Sequence, residues 1–287
     1  MSAVAARGVL VVGALGRMGR AVRAALAHEP SLVLAAALEA KEHPERGARL
    51  EHGVVVSDDL ASAVAQCDVA IDFTTPAVTL ATARACADAG VAYVAGTTGL
   101  SRADTDALDA LGARIPIVRA ANFSLAVNTL VWLVRAAAQR LGPAFDAEIV
   151  ELHHAAKRDA PSGTALRLAE AIAEGRGEPK ASEDDRKGER RPAKGRAKTS
   201  GLVLERAGEV GARPAAAIGV QALRGGDNTG EHTVMFIGQG ERLELVHRSS
   251  TRDHFAAGAV HAAAWLAGRE PGVYRVEEIF GLIPPSD

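Results

Sequence analysis

Val9-Leu10-Val11-Val12 runs without a break into Gly13-Ala14-Leu15-Gly16-Arg17-Met18-Gly19-Arg20, and an Ala-rich stretch follows. An apolar run, a glycine-spaced turn and a helix, in that order, describe the opening of a dinucleotide-binding βαβ unit. Glycines let the chain turn tightly and bring its backbone close to a pyrophosphate. The first N–H groups of the helix supply donors and a partial positive charge. The spacing is G-x-x-G-x-x-G, with Leu15 where the commoner pattern has its second glycine. Gly13, Ala14, Leu15, Gly16, Arg17 and Met18 are therefore the candidate phosphate cradle, Arg17 adding a cation. A plain glycine turn is the competing reading, and the strand–turn–helix context favours the cradle.

The rest of the first 120 residues repeats the same rhythm. Strands are predicted at Gly8–Val12, Leu32–Leu38, Val54–Val56, Val69–Phe73, Val91–Ala95 and Ile115–Val118. Thr75-Pro76 opens a helix that Gly90 closes, and Ser101 with Asp104 has the form of a capping box. Strands that are apolar throughout, separated by helices, predict a doubly wound parallel sheet buried on both faces. After a helix at Leu125–Leu141 the rhythm changes. Strands at Glu148–Leu152, Ala216–Leu223, Glu231–Ile237 and Leu243–His247 predict a smaller, mixed or antiparallel sheet. Ser162-Gly163-Thr164 opens a helix to about Glu174. A last helix at Asp253–Ala267 and the tail Val276–Leu282 are expected to return to the first domain. The charged tract 174–198 reads as a solvated loop with no assigned function.

A chain of 287 residues has room for two cores. Its 33 Lys and Arg against 35 Asp and Glu argue against a dedicated nucleic-acid binder or a polybasic membrane-surface protein. No apolar run is long enough to span a membrane. Two cysteines, Cys67 and Cys86, make neither a disulfide scaffold nor a four-cysteine metal site. These features lead to the expectation of a cytoplasmic protein.

Open α/β sheets bind ligands at the carboxyl ends of their strands. Glu39 ends the second strand, where an acid suits the hydroxyls of an adenosine ribose. Two further loops at strand ends, Gly96-Thr97-Thr98-Gly99 and Ala120-Ala121-Asn122-Phe123-Ser124, offer the short polar contacts that a nicotinamide ribose and carboxamide need. The chemistry is expected in Glu151-Leu152-His153-His154-Ala155-Ala156-Lys157, followed by Ser162-Gly163-Thr164. Two histidines and a lysine at a strand end gather proton donors, and a helix start carrying hydroxyls suits a carboxylate. Together they describe a pocket for a small anion that is protonated as it reacts. The alternative is one buried and one solvent-facing strand histidine. Metal binding is not expected, since there is no H-E-x-x-H and no Cys partner.

These motifs resemble those of the 4-hydroxy-tetrahydrodipicolinate reductase (dihydrodipicolinate reductase) family over nearly the whole chain. The resemblance rests on Gly13-x-x-Gly16-Arg17-Met18-Gly19-Arg20, Asp72-Phe73-Thr74-x-Pro76, Gly96-Thr97-Thr98-Gly99 and Ala121-Asn122-Phe123-Ser124. It continues through Glu151-x-His153-His154-x-x-Lys157-x-Asp159-Ala160-Pro161-Ser162-Gly163-Thr164-Ala165, Leu223-Arg224-Gly225-Gly226-Asp227 and Gly230-Glu231-His232-Thr233-Val234. It implies a Rossmann-like dinucleotide-binding domain over 1–124, completed by 248–287. It also implies an α+β substrate-binding and oligomerisation domain over 125–247, through which members form homotetramers.

By the same resemblance His153 is the proton donor and Lys157 the second, while His154, Ser162, Gly163 and Thr164 hold the substrate carboxylates. Gly13–Met18, Glu39, Gly96, Thr97, Thr98, Ala120, Ala121, Asn122 and Phe123 line the cofactor, NADH or NADPH. Many members carry Arg directly after the ribose acid. Ala40 stands there in this chain, which leads to the expectation that NADH serves at least as well as NADPH. Competing readings are a semialdehyde or homoserine dehydrogenase, or a catalytically silent dinucleotide sensor. The first needs a nucleophilic Cys in a strand-end loop, and the sensor predicts a damaged acid site.

Overall fold

The computed structural model describes residues 6–178, 201–204 and 206–283. The charged tract therefore falls, from residue 179 onward, outside the described residues. Along the chain come β1 (Arg7–Val12), α1 (Arg17–Leu26), β2 (Leu32–Leu38), β3 (Val56–Ser57), α2 (Leu60–Val64), β4 (Val69–Asp72), α3 (Pro76–Ala89), β5 (Ala92–Ala95), α4 (Arg102–Ala110) and β6 (Pro116–Arg119). Next are α5 (Leu125–Leu141), β7 (Asp146–His153), α6 (Gly163–Gly175), β8 (Leu202–Val203), β9 (Ile218–Arg224), β10 (Gly230–Ile237) and β11 (Arg242–Ser249). The last are α7 (Asp253–Leu266), β12 (Gly272–Tyr274) and α8 (Val276–Ile279). The chain divides into two compact units, Met1–Leu125 with Arg252–Asp287, and Ala126–Thr251.

The first unit is built on a seven-stranded parallel sheet in the order β12-β6-β5-β4-β1-β2-β3. Strand order reverses at β1, so the switch point where open α/β sheets take ligands lies at the carboxyl end of β1. Alternate residues of each strand feed two cores. Val9 and Val11 pack with Val22 and Leu26 of α1 and Ala259, Val260 and Ala263 of α7. Leu10 and Val12 pack with Val64 of α2, Ala83 and Cys86 of α3 and Leu108 of α4.

Helix ends follow local chemistry. Pro76 sits at the first position of α3, and Gly90 ends that helix in the left-handed conformation at φ 73°. Ser101 and Asp104 form a reciprocal capping box on α4. Val276 and Ile279 of the tail join the core of this unit.

In the second unit a mixed sheet runs β11-β10-β7-β9-β8, with β10 antiparallel to β7 and β11 and with β7, β9 and β8 parallel. One face is covered by α5 and α6. There Ala147, Ile149, Val220, Val234 and Phe236 pack with Val134, Leu168 and Ile172. The fold is thus a Rossmann-like doubly wound sheet plus a mixed-sheet α+β unit.

Some predicted boundaries shift for visible reasons. β9 begins at Ile218 rather than Ala216, because Ala216 takes a positive φ of 58° that a strand does not accept. Of the predicted strand Val54–Val56 only Val56 enters the sheet, since Val54 closes a tight turn with Leu50. Neither β12 nor α2 was predicted.

Candidate active site

In the first unit the glycine turn is tight. Gly13 has φ 67°, and the N–H groups of Gly13 and Ala14 both donate to the Leu38 carbonyl at 2.9 and 3.1 Å, tying the turn to β2. A Cβ on Gly19 would lie 2.1 Å from the Gly13 carbonyl oxygen, so α1 can approach the turn this closely only as glycine. Ala14 and Leu15 are buried while Gly16 and Arg17 are exposed. Leu15 replaces the commoner glycine because its side chain turns into the core beneath the turn.

The Leu15 N–H donates to Glu39 Oε2 at 3.0 Å, and the Ala40 N–H donates to Glu39 Oε1 at 3.0 Å. The acid at the end of β2 is thereby held against the turn. A tight glycine turn at a helix N-terminus, beside a fixed carboxylate, fits a dinucleotide's pyrophosphate and adenosine ribose.

The loops after β4 and β5 meet at Asp72, which is fully buried. Its Oδ1 accepts from the Thr74 N–H at 2.7 Å and the Thr74 hydroxyl at 2.6 Å, and its Oδ2 from the Tyr93 hydroxyl at 2.5 Å. The Thr97 hydroxyl lies 3.5 Å from Oδ1 and accepts from the Thr79 hydroxyl at 2.7 Å. Burial, with the Asp72 carboxylate beside it, pushes the Tyr93 hydroxyl well above its ordinary range, so Tyr93 stays a donor. Gly96 and Thr97 are buried and Thr98 is exposed.

After β6, Ala120 and Asn122 are half-buried and Ala121 is exposed. Asn122 Oδ1 accepts from the Ser124 N–H at 2.8 Å. Phe123 is fully buried, edge-on to Phe73, so its ring serves the core.

The second unit carries the titratable groups. Residues of β7 alternate, and Ala147, Ile149, Glu151 and His153 share the buried face. The last two positions of that row are polar where the first two are apolar. Register then assembles the site: β10 sets His232 opposite Glu151, β11 sets His247 opposite His232, and β9 sets Arg224 beside His153.

Glu151 is fully buried. Its Oε2 meets His153 Nδ1 at 2.5 Å and Arg224 at 2.9 Å, and its Oε1 accepts from Arg224 at 2.9 Å and from the Ser162 N–H at 3.0 Å. Burial alone would raise this carboxyl, but the hydrogen bonds from His153, Arg224 and Ser162 outweigh it and hold Glu151 at about 2. The rings of His153 and His232 meet edge-on at 5.2 Å. Burial, with His153 beside it, holds His232 down at about 4, so it is neutral at physiological pH.

Lys157 follows the strand end, and its Nζ donates to Asp159 Oδ1 at 2.8 Å. Desolvation would raise the Asp159 carboxyl, and the Lys157 hydrogen bond brings it below its usual range. His154 is half-buried. Gly163 and Thr164 open α6, where helix N–H groups point out of the N-terminus. The Ser162 hydroxyl is buried, accepts from the Ala165 N–H at 3.1 Å and lies 3.3 Å from His232 Nε2. The polar groups of Ser162 are thus committed within the protein. Ser162 caps the helix start, and Gly163 and Thr164 stand at the same N-terminus.

Sequence reasoning assigned no role to Asp72, Glu151, Arg224 or His232. The one local signal was at Asp72, an acid in an otherwise apolar strand. Burial pushes the Cys67 and Cys86 thiols to about 12, so neither is poised as a nucleophile. Among the described residues no helix is long and apolar enough to cross a membrane.

Comparison with known proteins matches residues 7–123 to the family described as dihydrodipicolinate reductase, N-terminus, and residues 126–280 to dihydrodipicolinate reductase, C-terminus. A 4-hydroxy-tetrahydrodipicolinate reductase of Anaeromyxobacter dehalogenans is 45% identical over 282 residues, covering 96% of this chain and 97% of that one. One of Myxococcus xanthus is 47% identical over 231 residues, covering 80% and 78%. Among solved structures, the dipicolinate-bound dihydrodipicolinate reductase of Paenisporosarcina sp. superposes with a TM-score of 0.74 at 23% identity, covering 96% of this chain and 99% of that one.

Proposed function

This chain belongs to the dihydrodipicolinate reductase family, and on that premise we propose the part its own residues play in the reaction. The activity is pyridine nucleotide-dependent reduction of 4-hydroxy-tetrahydrodipicolinate, through loss of water to dihydrodipicolinate, giving tetrahydrodipicolinate in lysine and diaminopimelate biosynthesis. When bound, the nicotinamide ring supplies a hydride from C4. Gly13–Met18, Glu39, Gly96–Thr98 and Ala120–Phe123 hold and orient that cofactor, the glycine turn shaping the approach and the Arg17 and Met18 N–H groups at the start of α1 donating, the rest through small side chains and one carboxylate. His154, Gly163 and Thr164 anchor the carboxylates of the cyclic substrate. Hydride addition to a conjugated imine builds negative charge on the ring system, and His153, with Lys157 as second donor, meets it with a proton.

The observation that carries this reading is the buried Glu151–His153 pair, 2.5 Å apart, with Lys157 and the start of α6 following from the same strand end. It is tested by following cofactor oxidation with substrate formed in situ from pyruvate and aspartate semialdehyde. Rapid oxidation that depends on both precursors is expected. Absence of oxidation by protein that binds the cofactor would leave the silent sensor as the better account.

Cofactor choice follows from Glu39 and Ala40. A carboxylate fixed against the turn repels a 2′-phosphate, and Ala40 brings no guanidinium to offset it. NADH is expected to bind at least as tightly as NADPH in an isothermal titration, and Ala40→Arg is expected to tighten NADPH selectively. Tighter NADPH binding by the unaltered protein would refute the argument from Ala40.

The enzyme is expected to act in the cytoplasm as a homotetramer. The face of the mixed sheet opposite α5 and α6 carries Val150, Leu152, Leu223, Met235, Ile237 and Val246 in register, and among the described residues no helix of its own unit covers it. Val246 is 42% exposed and Leu223 51%. A sheet face that sets these apolar residues among charged ones such as Glu148, Glu231 and Arg248 suits a second copy of the same sheet. In sedimentation velocity the protein is expected as a tetramer and Val246→Asp as a smaller species. A monomeric unaltered protein would overturn the assignment.

A further inference from the structure

We propose that Glu151 is the positioning residue that decides which ring nitrogen of His153 carries the reacting proton: it holds Nδ1–H and leaves Nε2 to face the substrate. The inference rests on the reading of His153 as proton donor and adds to it the device that aims the ring.

Four observations carry it. Glu151 is fully buried on the same face of β7 as His153, two residues away, so strand periodicity stacks the two side chains. The carboxylate cannot swivel, because Arg224 donates to both oxygens and the Ser162 N–H donates to Oε1. An ionised carboxylate only accepts hydrogen bonds, so its contact with His153 requires the proton on Nδ1. Space is kept on the opposite side of the ring. Gly230, at φ 152°, stands where a Cβ would come within 3.0 Å of His153 Nε2, so this residue leaves that nitrogen uncrowded.

The neighbouring ring adds a negative constraint. His232 is neutral at physiological pH, and its Nδ1 has no hydrogen-bond partner among the described residues. It therefore brings His153 no counter-charge, and its own contact is with the Ser162 hydroxyl rather than with the His153 ring nitrogens. Glu151 alone among the groups touching the His153 ring pairs with the imidazolium.

The proton balance is simple. In the imidazolium both nitrogens carry hydrogen, with Nδ1–H donated to Glu151. The Nε2–H bond breaks as the new bond to hydrogen forms on the substrate, and the ring is left neutral as the Nδ1–H tautomer. That is the tautomer Glu151 accepts from, so the pair stabilises both ends of the transfer. Without the carboxylate the imidazolium loses its counter-charge, and the neutral ring divides between two tautomers, only one of which is the direct product of transfer from Nε2.

The test begins with the unaltered full chain. Nitrogen-15 NMR of its histidines, with the His153 signals assigned by their loss in His153→Gln, is expected to show neutral His153 as the Nδ1–H tautomer. Finding the proton on Nε2 overturns the proposal whether or not any variant folds.

Glu151→Gln is then expected to lower kcat roughly 10- to 100-fold, a part of the roughly 10²–10⁴ that a general acid contributes. NADH affinity should stay unchanged, so that the loss appears in kcat alone. In a His153→Gln background the same change should cost nothing more, because its effect runs through that ring. An equal loss in both backgrounds would make Glu151 merely structural, and an unchanged kcat would remove it from the mechanism. Full turnover by His153→Gln itself would instead sink the functional reading, while the tautomer would still report on Glu151.

Discussion

With His153 replaced by Gln, turnover is expected to fall by roughly two orders of magnitude or more while NADH still binds. A positioned general acid contributes roughly 10²–10⁴ in rate, and glutamine matches the imidazole in polarity but has no proton to give at neutral pH. The proposed cofactor cradle is built from other residues, Gly13 to Glu39 and the loops after β5 and β6, so the dissociation constant for NADH is expected to be unchanged. Lys157→Ala is expected to act in the same direction. It removes the ammonium and leaves Asp159 without its 2.8 Å partner. The two losses should be far from additive if the donors serve one proton transfer. Steady-state kinetics beside isothermal titration of NADH checks both expectations, and full activity in both variants would remove these side chains from the mechanism.

The stability of the second unit is expected to decline on acidification in two stages. His232 titrates near 6.5 in an unfolded chain and at about 4 in the fold, where burial, with His153 beside it, disfavours the charged form. Between those values the unfolded chain binds more protons than the folded one, so stability falls as pH drops from 6.5 toward 4. The full cost is on the order of 3 kcal/mol.

Glu151 acts lower on the scale. Its folded value of about 2 lies below the 4.5 of a free carboxyl, because the hydrogen bonds from His153, Arg224 and Ser162 outweigh its burial. Its contribution is therefore complete above pH 4.5 and is lost as pH falls toward 2, again on the order of 3 kcal/mol. The measurement is denaturant unfolding at several pH values, read from Trp132 fluorescence in a Trp265→Phe background, so that the signal belongs to the second unit. His232→Gln should flatten the dependence between pH 6.5 and 4. A stability that is already flat across that range in the unaltered protein would contradict the burial argument.

Much of the fold was legible because its signals are local. Leu32–Leu38 and Leu125–Leu141 have in the structure the bounds read from their apolar patterns. Caps carry their chemistry within one turn, as in Pro76 with Gly90 and Ser101 with Asp104. The glycine turn was legible for the same reason, since strand, turn and helix are contiguous. β12 was not, because a strand of three residues has no period to read. Its place is set by pairing with Pro116–Val118, far away in the chain. α2, at five residues, was also short, and its Asp59 cap was too weak a mark alone.

The candidate site divides along the same line. His153, His154, Lys157 and Ser162 to Thr164 lie within one short segment, so their concentration of proton donors and helix-start groups could be read directly. The sequence by itself determined the alternation of apolar strands and helices, the glycine turn, and the family-like string around His153.

Only the tertiary structure decided what surrounds that string. Arg224 reaches Glu151 across 73 positions of chain, and His232 lies beside Ser162 across 70. Those meetings depend on the register of β10 and β9 against β7, and a shift of one residue would send every one of these side chains to the opposite face. Tertiary structure likewise set the Ser162 hydroxyl beside His232 and brought the Tyr93 and Thr97 hydroxyls to Asp72. Periodicity and capping act between residues a few positions apart. Charge compensation in a core acts between whichever side chains the sheet brings together.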